Sequence, residues 1–388
     1  MKKIKLGLFA KIVIAILLGA LLGEILPMAG VRVLKTFNVF FAGLLKFIVP
    51  LLVIGLVTPA IADVGKGAGK MLLAVMAISY FSTVCAGFFG YAAGSFTFPH
   101  YLAKGLVGAG AEAAEIQPFF TIKILPICDV LTALALSFMT GIGIVFTESK
   151  WLRGAVDDFG EVVKFTILKA IIPFLPVYIL TMISEMTASG KAAAMAEVLF
   201  KVIGTGMILT IIFLVCMYVV VGLIVGKNPF RCIWNMLPAY FTGFSICSSA
   251  ASIPVTLEST LKMGVSKDIA GFVIPLCANV HMVGSATKLC ASAMAIVWMA
   301  DLPVGAAQFA HFIFMLGIAA VAAPGVTGGV LMASLGLVDS VLGFSPEQSA
   351  LLMTFYLAID GYGPAANVTG DGAIALVIDR FFGAGRKG

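Results

Sequence analysis

Long apolar stretches dominate the first 225 residues of the chain and limit what it can fold into. A helix crosses the hydrocarbon core of a bilayer, roughly 30 Å thick, with about 20 apolar residues. Six stretches reach that length, namely residues 6–26, 37–62, 71–96, 124–146, 162–183 and 199–225. Because a helix satisfies its own backbone hydrogen bonds, each stretch is predicted to be a transmembrane helix. The first is predicted to remain in place, since no small-residue cleavage site of a signal peptide follows it.

The composition indicates the same class of protein. Of the 388 residues, 61% are hydrophobic and only 11% are charged. Such a chain has too few polar side chains to cover the surface of a water-soluble globule. The sequence therefore predicts an all-α integral membrane protein with membrane lipid around it.

Basic residues cluster in alternate loops between the apolar stretches. The clusters are Lys2, Lys3 and Lys5, then Lys66 and Lys70, then Lys150 and Arg153, then Lys227 and Arg231, and finally Arg380, Arg386 and Lys387. By the positive-inside rule, both termini are predicted to face the cytoplasm, in a multi-pass protein of the inner (plasma) membrane. The net charge of +6 thus reflects membrane topology, and no nucleic acid is expected as a partner.

Neither the cysteines nor the histidines have the spacing of a metal site. The seven cysteines lie mostly inside apolar stretches, as Cys85 and Cys277 do, and are expected to be small buried groups. The isolated His100, His281 and His311 do not form the HExxH pattern of a zinc protease. No cofactor and no resident metal are predicted.

After residue 228, small residues, prolines and polar groups interrupt the apolar segments. The stretches SICSSAASIPVT at 245–256 and AAVAAPGVTGG at 319–329 each place small residues before a proline. Each lies between apolar stretches of about 10 residues, which are too short to cross a membrane separately. The pattern predicts two re-entrant helical hairpins with their tips near the middle of the membrane.

A broken segment follows each predicted hairpin. These segments are PLCANVHMVGSATK at 275–288 and IDGYGPAANVTGDG at 359–372. Irregular backbone at membrane depth is tolerated only where it is buried in protein or lines a watery cavity. One such interruption is equally typical of a kink in an ordinary membrane helix. Four in series, arranged as a weak internal repeat, favour the binding site of a transporter.

These motifs resemble those of the glutamate transporter family, the dicarboxylate or amino acid:cation symporters. The resemblance rests on NPFRCIWNMLPAYFTGFSICSSAASIPVTLE at 228–258, followed by IPLCANVHMVGSA and NVTGD. LLKFIVPLLVIGLVTPAIADVG at 44–65 resembles the second helix of that family, and the order of elements matches along essentially the whole chain. The serine pair of the first hairpin and the NVTGD motif are specific in combination.

The resemblance implies a fold and an assembly that periodicity alone does not predict. It implies about eight transmembrane helices plus two re-entrant hairpins in an inverted-repeat elevator transporter fold, assembled as a homotrimer. The chain, 1–388, would form a single membrane unit. Its scaffold would be mainly 1–70 and 120–226, and its transport domain mainly 71–96 and 235–383.

The resemblance also assigns residues to a solute site. Ser248 and Ser249 match the tip of the first hairpin, which faces the solute carboxylate, and Ala323 and Gly325 match the gating second hairpin. Asp360 matches the aspartate that receives the solute's amino group, although a second alignment pairs 358–360 with an earlier aspartate of the family.

The last part of the predicted solute site departs from the family pattern. Asn367 is retained, but Gly363 stands where members that carry acidic solutes have an arginine, and Pro364 replaces a threonine. An arginine there would bind a side-chain carboxylate in bidentate fashion. The resemblance therefore implies cation-coupled symport of a small carboxylate-bearing solute, and a neutral amino acid in particular. A small dicarboxylate or monocarboxylate symporter, or a proton-coupled carrier, is the alternative.

Of two cation sites of the family, the sequence matches one and departs from the other. Asn367 and Asp371 match a sodium site that backbone carbonyls near Cys277 and His281 complete. An ionised aspartate within a membrane is costly, and a bound cation is its natural partner. A second sodium site is expected to be lost, because Val283 replaces an aspartate and Ile78 replaces a hydroxyl residue.

His281 and Lys288 have no counterpart in the family pattern. Imidazole exchanges a proton near neutral pH, so His281 is a candidate proton carrier, although a lone histidine is more often a structural group. Lys288 is a candidate tethered cation that replaces a lost ion. The coupling ion is thus predicted to be sodium, a proton or both.

Other classes of function fit less well. An intramembrane aspartyl protease needs two carboxylates that share one water, whereas Asp360 and Asp371 would lie about 16 Å apart along one helix. A passive channel does not explain two hairpins with closed tips, which favour gated, alternating access. The sequence therefore predicts a transporter rather than an enzyme.

Overall fold

Helices form almost all of the protein. The computed structural model describes residues 8–64, 70–105, 116–128, 130–189, 192–323, 328–358 and 360–383, and these ranges contain no β-strand. The first helices are α1 Leu8–Ile25, α2 Met28–Val64, α3 Lys70–Thr97, α4 Val130–Thr147, α5 Lys150–Thr166, α6 Ile172–Ala188 and α7 Ala192–Val225. They are followed by α8 Pro229–Ile246, α9 Ile253–Lys262, α10 Lys267–Val280, α11 Val283–Met299, α12 Ala306–Ala322, α13 Gly329–Ser340, α14 Pro346–Ala358 and α15 Tyr362–Ile378.

Several helices have the length and composition of membrane spans. Within the described residues, five qualify: Met28–Leu45, Lys70–His100, Lys150–Ala188, Glu197–Val225 and Lys267–Met299. Their apolar side chains agree with the sequence prediction of a multi-pass, all-helical protein. The predicted total of about eight spans stays a prediction, as does the orientation of the termini.

Four predicted helix starts were wrong, those at 37, 124, 162 and 199, and the starts at 124 and 162 have an identifiable local cause. The stretch 124–146 becomes helical only from Val130, and the described residues 116–128 are not helical. Pro126 gives the reason, because proline has no N–H and disfavours a helical residue before it. The stretch 162–183 is part of a longer rod, in which the π-helical turn Ile167–Ile171 joins α5 to α6. The helix begins at Lys150, before the predicted start at 162, because Ser149 caps it by accepting the Leu152 N–H at 3.2 Å.

Two pairs of consecutive helices form hairpins at the predicted positions. α8 packs against α9, and the short segment 247–252 joins them. α12 packs against α13 on either side of 323–328, of which the structure describes the two ends. Pro254, which follows the tip of the first hairpin, lies where a helix tolerates a proline, in the first turn of α9.

The remaining helices pack in two groups. α2 packs on α4, α5 and α6, and α6 packs on α1. In the second group, α3, α8, α10 and α11 surround α15, and α7 packs on α8, α11 and α15. This grouping brings the first hairpin together with α10, α11 and α15, which carry the residues of the predicted site. The second hairpin contacts both groups, since α12 packs on α3 and both α12 and α13 pack on α2. The division into a scaffold and a moving transport domain stays a prediction.

Candidate solute and cation site

Two breaks between helices lie side by side. The first separates α10 from α11 at His281 and Met282, whose backbones leave the helical conformation. The second separates α14 from α15, which begins at Tyr362. A Cβ atom at Gly284, in the first turn of α11, would overlap the carbonyl oxygen of Gly363 in α15. Glycine at position 284 therefore lets the two breaks approach each other.

Side chains from two other helices satisfy the backbone of the first break. The hydroxyl of Thr83 in α3 accepts a hydrogen bond from the Met282 N–H at 3.2 Å. The Asn367 side-chain oxygen in α15 accepts the N–H groups of Gly284 at 2.8 Å and Ser285 at 3.3 Å. The first N–H groups of a helix have no partner within it. Asn367 is thus the cap of α11, supplied from another helix.

His281 joins three helices at the break. Its Nδ1 lies 3.0 Å from Oδ1 of Asp371 in α15, and its Nε2 lies 3.1 Å from Oγ of Ser82 in α3. Both His281 and Asp371 are fully buried. The hydroxyl can donate or accept, and the carboxylate accepts a hydrogen bond from the Nδ1–H of either a neutral or a protonated ring. His281 is therefore placed to gain or lose a proton without losing its partners.

One carboxylate oxygen of Asp371 has no hydrogen-bond partner among the described residues. This oxygen, Oδ2, is buried. A buried carboxylate is costly unless donors or a cation neutralise it. The Cys277 carbonyl, predicted as a further cation ligand, accepts the N–H of His281 at 2.9 Å. The free oxygen of Asp371 is the strongest candidate for a cation ligand.

A second buried ion pair lies beside the second break. Lys288 Nζ lies 2.9 Å from Oδ1 of Asp360, and both side chains are almost completely buried. The ammonium also stands over two aromatic rings, 3.6 Å from the centre of Tyr356 and 4.8 Å from that of Tyr362. Aromatic rings attract a cation at such distances. The pair is thus held by charge on one side and by ring faces on the other.

Asp360 also contacts the second hairpin. Its Oδ2 accepts the N–H of Gly328 at 3.1 Å, directly before the first turn of α13. Gly328 has φ +72°, a left-handed conformation in which a residue without Cβ is favoured. The position suits an anion because the N-terminal end of a helix carries partial positive charge. One carboxylate therefore connects α11, α15 and the second hairpin.

A small pocket lies between the hairpins and the two breaks. Its volume is about 10 Å³, and its lining residues are Ser249, Met282, Ser285, Gly328, Gly329, Val330, Tyr356, Asp360, Pro364 and Asn367. A cavity of about 10–15 Å³ holds a single water molecule. An organic solute therefore needs movement of at least one wall of this pocket as the described residues form it.

Comparison with known proteins identifies the family of this chain. A sequence model of the sodium:dicarboxylate symporter family matches residues 8–381, which include both hairpins and both breaks. The chain belongs to this family. The resemblance drawn from the hairpin tip and the NVTGD motif is thereby confirmed. The protein is a membrane transporter and not an enzyme.

Named relatives of this symporter are similar along most of their length. The serine/threonine transporter SstT of Streptococcus suis is 28% identical over 343 residues, which cover 84% of this chain and 93% of that protein. SstT of Acinetobacter baumannii is 28% identical over 358 residues, or 88% of each chain. SstT of Streptococcus thermophilus is 26% identical over 341 residues, which cover 84% of this chain and 83% of that protein.

The structure of this symporter brings some of the predicted solute residues together and separates others. Ser249, Asp360, Pro364 and Asn367 line the pocket. Three predicted residues are outside its lining, namely Ser248, Ala323 and Gly363. The Ser248 hydroxyl accepts the N–H of Ala251 at 3.3 Å and so caps the turn of the first hairpin. Gly325 lies outside the described residues.

Position 363, where glycine replaces an arginine of the family pattern, lies close to a cation from another helix. A Cβ atom at Gly363 would lie 3.6 Å from Lys288 Nζ. Spacing along the chain does not reveal this proximity, and the interpretation of Gly363 as a solute-site residue stays a prediction.

The residues of the lost sodium site are apolar and packed. Val283 is fully buried in the larger apolar core, and Ile78 packs against a second apolar cluster. Neither side chain carries an oxygen that a sodium ion needs. The loss of this site stays a prediction.

Three residues of the site were missed in the sequence. Ser82 and Thr83 reach the first break from α3, and Tyr356 faces Lys288 from α14. A signal for the first two existed, since Ser79, Ser82 and Thr83 follow a helical spacing of three and four residues in an otherwise apolar stretch. Tyr356 had no such signal, because an aromatic residue is ordinary in a membrane helix.

Proposed function

We propose that this protein is a secondary active transporter that moves a small carboxylate-bearing solute across the membrane together with a cation. The observation that carries the proposal is the unpartnered oxygen of buried Asp371, one helical turn after Asn367 of the pocket. A cation bound at that oxygen and a solute bound in the pocket would then contact neighbouring residues of α15. Binding of one would then favour binding of the other, as cation coupling requires.

A neutral amino acid is the first candidate solute. The named relatives are serine/threonine transporters, and the pocket wall contains the carboxylate of Asp360, a group that can bind an amino group. A small monocarboxylate or dicarboxylate is the second candidate, because Lys288 already neutralises Asp360. A solute without an amino group would leave the Lys288–Asp360 ion pair intact.

The coupling cation is proposed to be sodium, a proton or both. Asp371, with Asn367 nearby, supplies one sodium-type site, whereas Val283 and Ile78 remove another. His281 contacts Asp371 directly, so a proton on its ring would neutralise the same carboxylate that sodium would neutralise. The two cations would therefore compete for one place.

The proposed mechanism is an elevator within a homotrimer of the inner membrane, with both termini in the cytoplasm. The helices around α15, including both hairpins, would move as a body and carry the closed pocket with them. The second hairpin would act as the gate, because its Gly328 contacts Asp360 in the pocket wall.

The experiment that tests the proposal is uptake by the purified protein in proteoliposomes. L-serine, L-threonine, L-lactate and succinate would be offered with a sodium gradient, a proton gradient or neither. Accumulation against a concentration gradient that depends on one of the ions supports symport. Equilibration of a solute without any ion dependence would indicate a passive channel and contradict the proposal.

Acidic amino acids are expected to be poor solutes. Lys288 is the one cation next to the described pocket, so a second carboxylate on the solute would be buried without a partner. We expect L-aspartate to bind at least about tenfold more weakly than L-asparagine, which has the same size, corresponding to about 1.4 kcal/mol. Competition against serine uptake measures this ratio, and equal potency of the two would contradict the expectation.

Replacement of His281 by glutamine is expected to flatten the pH dependence of uptake. Wild-type uptake should depend on pH, because a proton on the His281 ring would neutralise the Asp371 carboxylate that it contacts. Glutamine at this position cannot carry that proton.

The matched control for that replacement is His311→Gln, at an exposed position of α12. The control should keep the wild-type pH profile. A pH profile that is unchanged in His281→Gln would assign His281 a structural role, with sodium as the only coupling ion at Asp371.

A further inference from the structure

Lys288 is a buried cation with few partners. Its ammonium contacts the Asp360 carboxylate at 2.9 Å and the carbonyl oxygen of the same residue at 3.5 Å. The faces of Tyr356 and Tyr362 also contact it. A lysine ammonium has three hydrogens to donate. Breaking a buried pair without replacing the lost partner is strongly unfavourable. Any solute that takes Asp360 away from Lys288 must therefore give Lys288 another anion.

The pair forms part of the wall of the solute pocket. Asp360 and Tyr356 line the pocket, and Lys288 lies directly behind them. On the side of α15, a Cβ atom at Gly363 would have the Ser285 hydroxyl at 3.4 Å and the Lys288 ammonium at 3.6 Å as its nearest neighbours. A side chain longer than alanine at position 363 would therefore press against the ammonium. Glycine leaves the space beside Lys288 free of a side chain.

We infer that Lys288 is the receptor for the solute carboxylate and that a zwitterionic solute enters by exchanging partners with the Lys288–Asp360 pair. The carboxylate of the solute binds the Lys288 ammonium, and the ammonium of the solute binds the Asp360 carboxylate. This inference rests on the proposed function and names one class among its candidate solutes, a neutral α-amino acid. Lys288 of α11 thereby supplies the positive charge that an arginine at position 363 would supply.

Charge balance favours a zwitterion over the other candidates. Without solute, the pair is neutral as a whole. With a zwitterion between them, each charge again faces an opposite one. A carboxylate without an amine would leave Asp360 with the Gly328 N–H as its partner, and an amine without a carboxylate would leave Lys288 with ring faces and the distant Asp360 carbonyl oxygen but no anion. Both cases bury an uncompensated charge.

The partner exchange also involves the second hairpin. Asp360 holds Lys288 through Oδ1 and the Gly328 N–H through Oδ2. Movement of this carboxylate toward a solute ammonium changes both contacts together. Solute entry and displacement of the start of α13 are therefore linked through one side chain.

The test compares three small probes on wild-type protein and two charge variants. The probes are L-serine, L-lactate, which has no amine, and ethanolamine, which has no carboxylate, with affinities measured by calorimetry at a fixed sodium concentration and pH. Wild-type protein should bind serine at least about tenfold more tightly than either partial analogue. Lys288→Met should weaken serine at least about tenfold and favour ethanolamine over lactate, whereas Asp360→Asn should favour lactate over ethanolamine.

A surface pair of the same type provides the control. Lys104 and Asp301 lie 2.7 Å apart and are largely exposed, so Lys104→Met should leave all three affinities unchanged. If a single charge variant fails to fold, the double variant Lys288→Met/Asp360→Asn removes both charges together and should fold, since no charge is left unpaired. That variant should also bind serine at least about tenfold more weakly than wild type.

The outcomes separate this inference from the proposed function. Opposite shifts in the two single variants support the exchange of partners. An unchanged order of preference in both, wild-type serine affinity in the double variant, or a wild-type preference for lactate over serine would each overturn the inference. Wild-type protein that accumulates none of the carboxylates against an ion gradient would overturn the proposed function instead.

Discussion

Replacement of Asp371 by asparagine is expected to reduce cation-coupled uptake to the level of protein-free vesicles. Asp371 is fully buried, contacts His281 through one oxygen and has its other oxygen unpartnered among the described residues. Asparagine has nearly the same shape but no charge, so it cannot neutralise a sodium ion or a protonated histidine. Uptake in proteoliposomes, driven by a sodium or proton gradient, measures the effect.

The variant should remain folded, because the substitution removes a buried charge rather than packing. Size-exclusion profiles and thermal unfolding in detergent would establish this. Asp301→Asn, at an exposed carboxylate, is the matched control and should transport at the wild-type rate. Full ion-driven uptake by Asp371→Asn would remove the proposed cation site, whatever the solute.

Replacement of Gly284 by alanine is expected to have a comparably large effect through packing alone. The new methyl group would overlap the carbonyl oxygen of Gly363 and the side chain of Ala366, which would force α11 away from α15. Overpacking of this kind costs about 1–3 kcal/mol of folding free energy. We also expect uptake to fall at least about tenfold, since a 1 Å displacement of binding groups can cost about 100-fold.

Gly271 in α10 supplies the control for this replacement. It is exposed, and a Cβ atom there would have no neighbour within 4 Å. Gly271→Ala should be neutral or stabilise the helix by up to about 1 kcal/mol, because alanine is the better helix former. Wild-type uptake and unfolding temperature in Gly284→Ala would contradict the close approach of the two breaks.

These two replacements examine different properties of the same site. The first removes a charge and leaves the helix packing in place, whereas the second disturbs the packing and leaves every charge. A loss of uptake in the first with unchanged stability would assign Asp371 to function. A loss of both in the second would show that the site depends on contact between α11 and α15.

The helices, both hairpins and the first break could be predicted from sequence because their causes are local. Apolar length determines whether a helix suits a membrane, and small residues before a proline indicate a turn. The break at His281 and Met282 falls inside the predicted segment 275–288. The second break differs slightly, because α15 is continuous from Tyr362 and the NVTGD residues belong to a regular helix.

The contacts of the site could not be predicted, because their partners are distant along the chain. The sequence by itself determined a membrane protein with paired hairpins, and its resemblance to the family singled out Asp360, Asn367 and Asp371 as candidates. Only the tertiary structure decided that Lys288 pairs with Asp360 across 72 positions and that His281 pairs with Asp371 across 90. The physical reason is that buried charges need partners, and which opposite charge lies within 3 Å depends on how α11 and α15 pack rather than on spacing within either helix.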